Sequence, residues 1–161
     1  MNLRGALVCV LSCSAMALEH LQLDAHRIVY RNLTPEAIVL DAQGYVQLLD
    51  MRYASKADPT PNDFCGFAHY LSPEQVSGQG HGLAVDFWAL GTLTYELITG
   101  GANPWLTGDP AKDSEIGIYQ RISVHQAGSL KFPDGVEPSQ VSVSWECIAT
   151  VPTGSVEQET S

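Results

Sequence analysis

Basic residues are scarce in this sequence. Its 161 residues include 8 Lys and Arg against 18 Asp and Glu, a formal charge of −10 with a pI near 4.7. That balance excludes the basic face that nucleic acid or an anionic membrane requires, so neither is expected as a partner. No Lys or Arg follows Lys131, whereas Asp134, Glu137, Glu146, Glu157 and Glu159 do. An acidic end of this kind reads as a solvated tail. Cysteine is sparse as well. Cys9 and Cys13 lie four apart, Cys65 and Cys147 are isolated, no C-x-x-C occurs and the five His are scattered. This excludes a disulfide framework and zinc spacing, and implies reduced, unmetallated thiols in a cytoplasmic protein. No apolar run reaches the about 20 residues that span a bilayer. Arg4, the run Ala6–Leu11 and Ala15-Met16-Ala17 imitate a short signal peptide. The reading adopted instead is a buried helix that continues through Leu18 and Leu21.

What remains suits one mainly α-helical domain. Hydrophobic residues make up 45% of the chain, enough for a core and against global disorder. Met1–Leu21 has no Pro and only Gly5, and its near-continuous apolar character predicts a largely buried helix, with Cys9 and Cys13 sharing an inner face. Ile38-Val39-Leu40 and Tyr45–Leu49 are strand-like and flank Asp41-Ala42-Gln43-Gly44, a hairpin turn with Gly where positive φ is cheap. Met51–Phe67, with Pro59 and Pro61, reads as a loop. Ser72-Pro73-Glu74 starts a short helix, with Ser as N-cap and Pro at the first helical position. Ala84–Thr99 is the strongest helix; apolar residues, Trp88 and Tyr95 among them, cover most of its circumference, and Gly100-Gly101 stop it. Asp109-Pro110 opens a last amphipathic helix that runs to about Val124. Beyond Pro133 the pattern fades. The expected organisation is a domain over 1–133 and a disordered acidic tail over 134–161.

Five stretches occur in a telling order: Ile28-Val29-Tyr30-Arg31-Asn32-Leu33-Thr34-Pro35-Glu36-Ala37, Leu49-Asp50, Phe64-Cys65-Gly66, Tyr70-Leu71-Ser72-Pro73-Glu74, and Asp86-Phe87-Trp88-Ala89-Leu90-Gly91. Together they resemble the C-terminal lobe of a eukaryotic protein kinase, of the AGC group and especially the cyclic-nucleotide-dependent serine/threonine kinases. The resemblance runs from about Leu18 to Pro133. It implies a partial kinase lobe, with helices around the long central one and one small β-hairpin near the cleft. It also implies that Asp86 accepts backbone N–H groups near Tyr30 and Arg31; the other reading is a helix-start carboxylate favoured by the macrodipole.

The resemblance further implies where phosphoryl-transfer parts should lie, and several have been replaced. The family's catalytic Asp falls on Asn32, whose carboxamide orients a hydroxyl but cannot take its proton. The Lys that pairs with the transferred phosphate falls on Thr34. The Asn that holds one magnesium falls on Ala37, which has no ligand atom. Asp50 survives as the one residual magnesium ligand, but the Phe and Gly after it become Met51 and Arg52. The Thr that bonds the catalytic pair falls on Phe67. Nothing before Leu18 offers the Gly-rich strand–turn–strand, strand Lys and helix Glu of the nucleotide-binding half. Gly78–Gly82 is not G-x-G-x-x-G, follows no expected strand, and reads as a flexible lead into the long helix. Glu74 finds no basic partner after Lys131, where the family supplies an Arg. His69, where the family carries a Glu, reads as a solvent-exposed imidazole. Asp63 falls where the family carries its activating phosphothreonine and Arg31 is that phosphate's usual partner; an Asp63–Arg31 contact and a plain exposed loop Asp are both open.

The expected function is therefore a degenerate, pseudokinase-like fragment, catalytically inactive, that acts as an interaction or regulatory module with an unnamed protein partner and no cofactor. The alternative is a divergent serine/threonine kinase using Mg-ATP, with its N-lobe on a separate chain or outside this one. A third reading is a truncated product that never folds stably.

Overall fold

The computed structural model describes residues 13–19, 21, 26–125, 130–134 and 136. The signal-peptide-like run with Cys9, and Cys147 with the acidic end apart from Asp134 and Val136, lie outside the described residues. Residues 13–19 are helical (α1) and bury Ser14 and Leu18 completely.

Three further α-helices follow among the described residues: α2, Pro73–Val76; α3, Ala84–Thr99; and α4, Glu115–Ser123. The long α3 organises the described fold because its apolar residues leave almost no polar face. Ala89, Leu90 and Leu93 pack with Leu18 of α1 and with Tyr30, Leu33 and Ala37. On another side Trp88 joins Trp105, Ile118 and Ile122 of α4. Gly100 ends the helix in a left-handed conformation at φ 76°, where a side chain would be strained, and its N–H bonds back to Glu96 O.

Two features differ from the sequence expectation. The expected hairpin is present as β2, Ile38–Leu40, and β3, Val46–Leu48, paired antiparallel in the register Ile38↔Leu48. It is not the only β-structure. β1, Ile28–Val29, pairs antiparallel with β4, Ser55–Lys56, a segment read from its sequence as loop. Two-residue strands carry no periodic signal, so pattern reading misses them. The last helix starts at Glu115, not at Asp109-Pro110. Asp113 explains the delay: its carboxylate accepts from the N–H groups of Thr107 and Gly108 and from the Thr107 hydroxyl, and pairs with Arg121 at 2.9 Å. Residues 107–113 are thereby tied into a loop. Ser114 then caps α4 by accepting from Gly117 N. A Cβ at Gly117 would lie 2.2 Å from Lys112 O, so only glycine fits this approach.

Candidate functional site

Between β1 and β2 the chain runs as a buried loop through Tyr30, Arg31, Asn32, Leu33 and Thr34. Burying so much backbone requires partners for its N–H groups. Asp86, in the first turn of α3 and wholly buried, supplies two: Oδ2 accepts from Tyr30 N at 2.8 Å and Oδ1 from Arg31 N at 2.7 Å. Of the two readings of Asp86, this geometry is the bracket. The Tyr30 hydroxyl donates to Leu49 O, tying the loop to the segment after β3. Burial, then the negative charges of Asp50 and Asp86, push its pKa up to about 12.

Asn32 and Asp50 come together. Asn32 Nδ2 donates to Asp50 O at 2.9 Å, while Asn32 Oδ1 is buried with no partner among the described residues. Asp50 itself is left-handed at φ 59°. Its carboxylate does not face an open cation site: Arg52 Nε lies 2.7 Å from Oδ1. The hydrogen bond to Arg52 holds the Asp50 carboxyl below the usual carboxylate range, and the same contact raises Arg52. Ala37 is buried and brings no donor atom, and Thr34 is buried on the same loop. Among the described residues no three His, Cys, Asp or Glu side chains gather to hold a metal. This donor set does not fit a magnesium–triphosphate group, because a single carboxylate remains and Arg52 Nε already engages one of its oxygens.

Arg31 is the second centre. Its backbone is left-handed (φ 61°), and its buried side chain reaches Tyr53 and the loop that follows β4. Nη1 lies 2.7 Å from Asp63 Oδ1 and Nε donates to Tyr53 O at 2.7 Å. Of the two readings of Asp63, the geometry is therefore the ion pair. The Arg31 side chain is 5% exposed and that of Asp63 is 61% exposed, so half of the pair is open to solvent. The hydrogen bond from Arg31 keeps the Asp63 carboxyl low.

Two residues, His81 and His69, sit otherwise than expected. Within Gly78–Gly82, where residues 78–80 are exposed, His81 alone is buried: its N–H donates to Pro61 O at 3.0 Å, and its Nε2 lies 3.2 Å from Arg31 Nη1. A lone His among glycines gives no sequence signal for such a contact. His69 is half-buried, not simply solvent-exposed, and lines an open groove of about 410 Å³ with Thr34, Glu36, Phe67, Tyr70 and Glu96. Phe67 is exposed at that rim. Within the groove Glu96 accepts from the Tyr70 hydroxyl at 2.6 Å and from Asn103 Nδ2 at 2.6 Å. Burial and the Glu96 carboxylate push the Tyr70 hydroxyl far up. Glu74 is half-buried on α2 and forms no ion pair among the described residues. Trp88 and Tyr95 are buried core aromatics, and Cys13 and Cys65 are free thiols.

The sequence profile of the protein kinase domain matches residues 8–153. Human cAMP-dependent protein kinase catalytic subunit PRKX is 41% identical over 117 residues, 73% of this chain and 30% of that protein. Protein kinase 2 of Dictyostelium discoideum is 40% identical over 129 residues, 79% of this chain and 25% of that protein. The cGMP-dependent protein kinase of Plasmodium berghei is 36% identical over 142 residues, 88% of this chain and 16% of that protein. The chain thus spans less than a third of the length of these three relatives. With the Asp86 bracket, the Asn32 loop and the Asp50 segment placed as described, and a profile that covers most of the sequence, the chain belongs to the protein kinase domain family.

Proposed function

We propose that this chain is the C-terminal-lobe portion of a protein kinase domain that does not transfer phosphate, and that it acts in the cytoplasm as an interaction or regulatory module for a protein partner. The observation that carries the reading is the Arg52–Asp50 ion pair beside Asn32. A general base must accept a proton, and a carboxamide does not. A divalent cation needs carboxylate oxygens, and here Arg52 already engages one oxygen of the only carboxylate at the expected position. Thr34, Ala37 and Phe67 remove the phosphate-facing charge, a ligand atom and a hydroxyl from the same place. No described helix is long and apolar enough to cross a membrane, and the acidic balance gives nucleic acid no footing.

A manganese titration followed by NMR tests this directly, since a bound paramagnetic ion broadens the resonances of its ligands. The expected result is no selective broadening at Asp50 in the native chain, and broadening that emerges in Arg52→Gly, with an affinity gain of up to about fivefold for the freed carboxylate. Selective broadening at Asp50 in the native chain at micromolar manganese overturns the proposal.

A second reading rests on a different observation. The relatives are named as protein kinases, two of them cAMP- or cGMP-dependent, and Arg31 still holds Asp63 where a phosphate would order the loop. Under it the chain is part of a divergent kinase that uses Mg-ATP once an N-lobe, on the same or a separate chain, covers the Asn32 loop.

A further inference from the structure

His81 stands at a junction that neither reading of the function uses. The residue is 2% exposed, and its Nε2 lies 3.2 Å from Arg31 Nη1. A guanidinium only donates hydrogen bonds, so Nε2 must be the acceptor and carries no proton. The ring proton then sits on Nδ1, which faces Gln79 O at 3.4 Å. The arrangement holds only for the neutral imidazole, as the Nδ1–H tautomer.

The same contact joins two loops. His81 N donates to Pro61 O, and a Cβ at Gly80 would meet Thr60 Cγ2 at 3.1 Å, so Gly78–Gly82 lies directly on the segment that carries Asp63. Arg31 cannot retreat easily, because Nε is held by Tyr53 O and Nη1 by Asp63. The glycine-flanked loop can, since Gly78, Gly80 and Gly82 bring little side-chain packing to hold it.

We propose that His81 is a proton-operated latch between the Gly78–Gly82 loop and residues 57–66: neutral, it closes on Arg31; protonated, it is driven from the buried site and the two loops separate. A proton on Nε2 would set N–H against N–H, two cations facing each other away from water. The charged groups around the ring are Arg31 from the buried loop, Asp63 from the loop after β4 and Glu74 from α2, with the Cys65 thiol beside Arg31 and Asp63 kept neutral by burial. The Gln79 carbonyl, then the two carboxylates, favour the proton. Burial and Arg31 oppose it, and the net effect lowers the His81 pKa from its ordinary value, burial being the largest cause. The unfolded ring takes up a proton near 6.5, whereas the folded one resists it. Stability linked to His81 is therefore complete above about 6.5 and is lost as the pH falls from there toward the lower folded value. The latch is shut at neutral pH and opens in mild acid.

Hydrogen exchange of the full chain, corrected for intrinsic rates, tests the latch at about pH 7.5 and about pH 5.5. Protection across 58–66 and 78–82 is expected to fall at least about threefold in acid. It should stay level in His81→Gln, whose carboxamide oxygen can accept from Arg31 but does not titrate. An equal fall in the variant, or none in the native chain, overturns the proposal. Should the variant not fold, nitrogen NMR of the native imidazole decides: an Nδ1–H tautomer at neutral pH supports the latch, and an Nε2–H or cationic ring contradicts it. Neither readout depends on whether the chain transfers phosphate.

Discussion

Replacing Asp86 by Ala is expected to lower the unfolding free energy by about 3–5 kcal/mol. The carboxylate is wholly buried and accepts the N–H groups of Tyr30 and Arg31 at 2.8 and 2.7 Å. Alanine would leave both donors without a partner and out of reach of water. Each such orphan costs about 1–3 kcal/mol, and the charge-assisted bonds are lost besides. For a domain whose net stability is on the order of 5–15 kcal/mol, the melting temperature should drop by roughly 10 °C or more. Thermal and urea unfolding of the native chain and the variant provide the check. A loss below about 1 kcal/mol would return Asp86 to the helix-dipole role of an exposed first-turn acid. Because the bracket sets the backbone that carries Asn32, the variant should also disturb the Asn32–Asp50 contact.

Trp105→Ala should cost a similar amount, about 3–5 kcal/mol. Its indole is buried and stacked on Trp88 with ring centroids 5.3 Å apart and planes 6° from parallel. Nε1 donates to Thr92 Oγ1 at 3.2 Å, and the Trp105 carbonyl accepts from Arg121 Nε at 2.6 Å. Removing the ring opens a cavity between α3 and α4 and strands the buried Thr92 hydroxyl. Trp105→Phe keeps the stacked surface and should recover more than half of the loss. Urea midpoints of the three proteins measure it, and equal losses for Ala and Phe would mean that the indole hydrogen bond, not the packing, dominates.

The sequence made some of these features legible and hid others, for physical reasons. Long apolar periodicity exposed α3 and its glycine stop, since a helix buried on nearly all sides has to show it in composition. The Asp41–Gly44 turn announced the hairpin because a positive φ calls for glycine there; Gly44 has φ 88°. Contacts that depend on loops meeting in space left no trace. His81 against Arg31 and Ser55–Lys56 against β1 are of that kind. So is the Arg52–Asp50 pair: the sequence shows that Arg replaces a glycine, but not that the guanidinium turns back onto the carboxylate two residues before it. The late start of α4 followed from Asp113 bonding to Thr107 and Gly108, which competes with a helix beginning at Asp109. Trp105 gave no helical or strand pattern, because it sits in the loop after α3.

Phosphate transfer is the most direct test of the inert reading. The purified native chain is incubated with γ-labelled Mg-ATP and a serine/threonine peptide, alongside an Asp50→Ala variant that reports contaminating kinases. The account predicts equal, background labelling from both proteins. Labelling by the native chain that disappears in Asp50→Ala would contradict it.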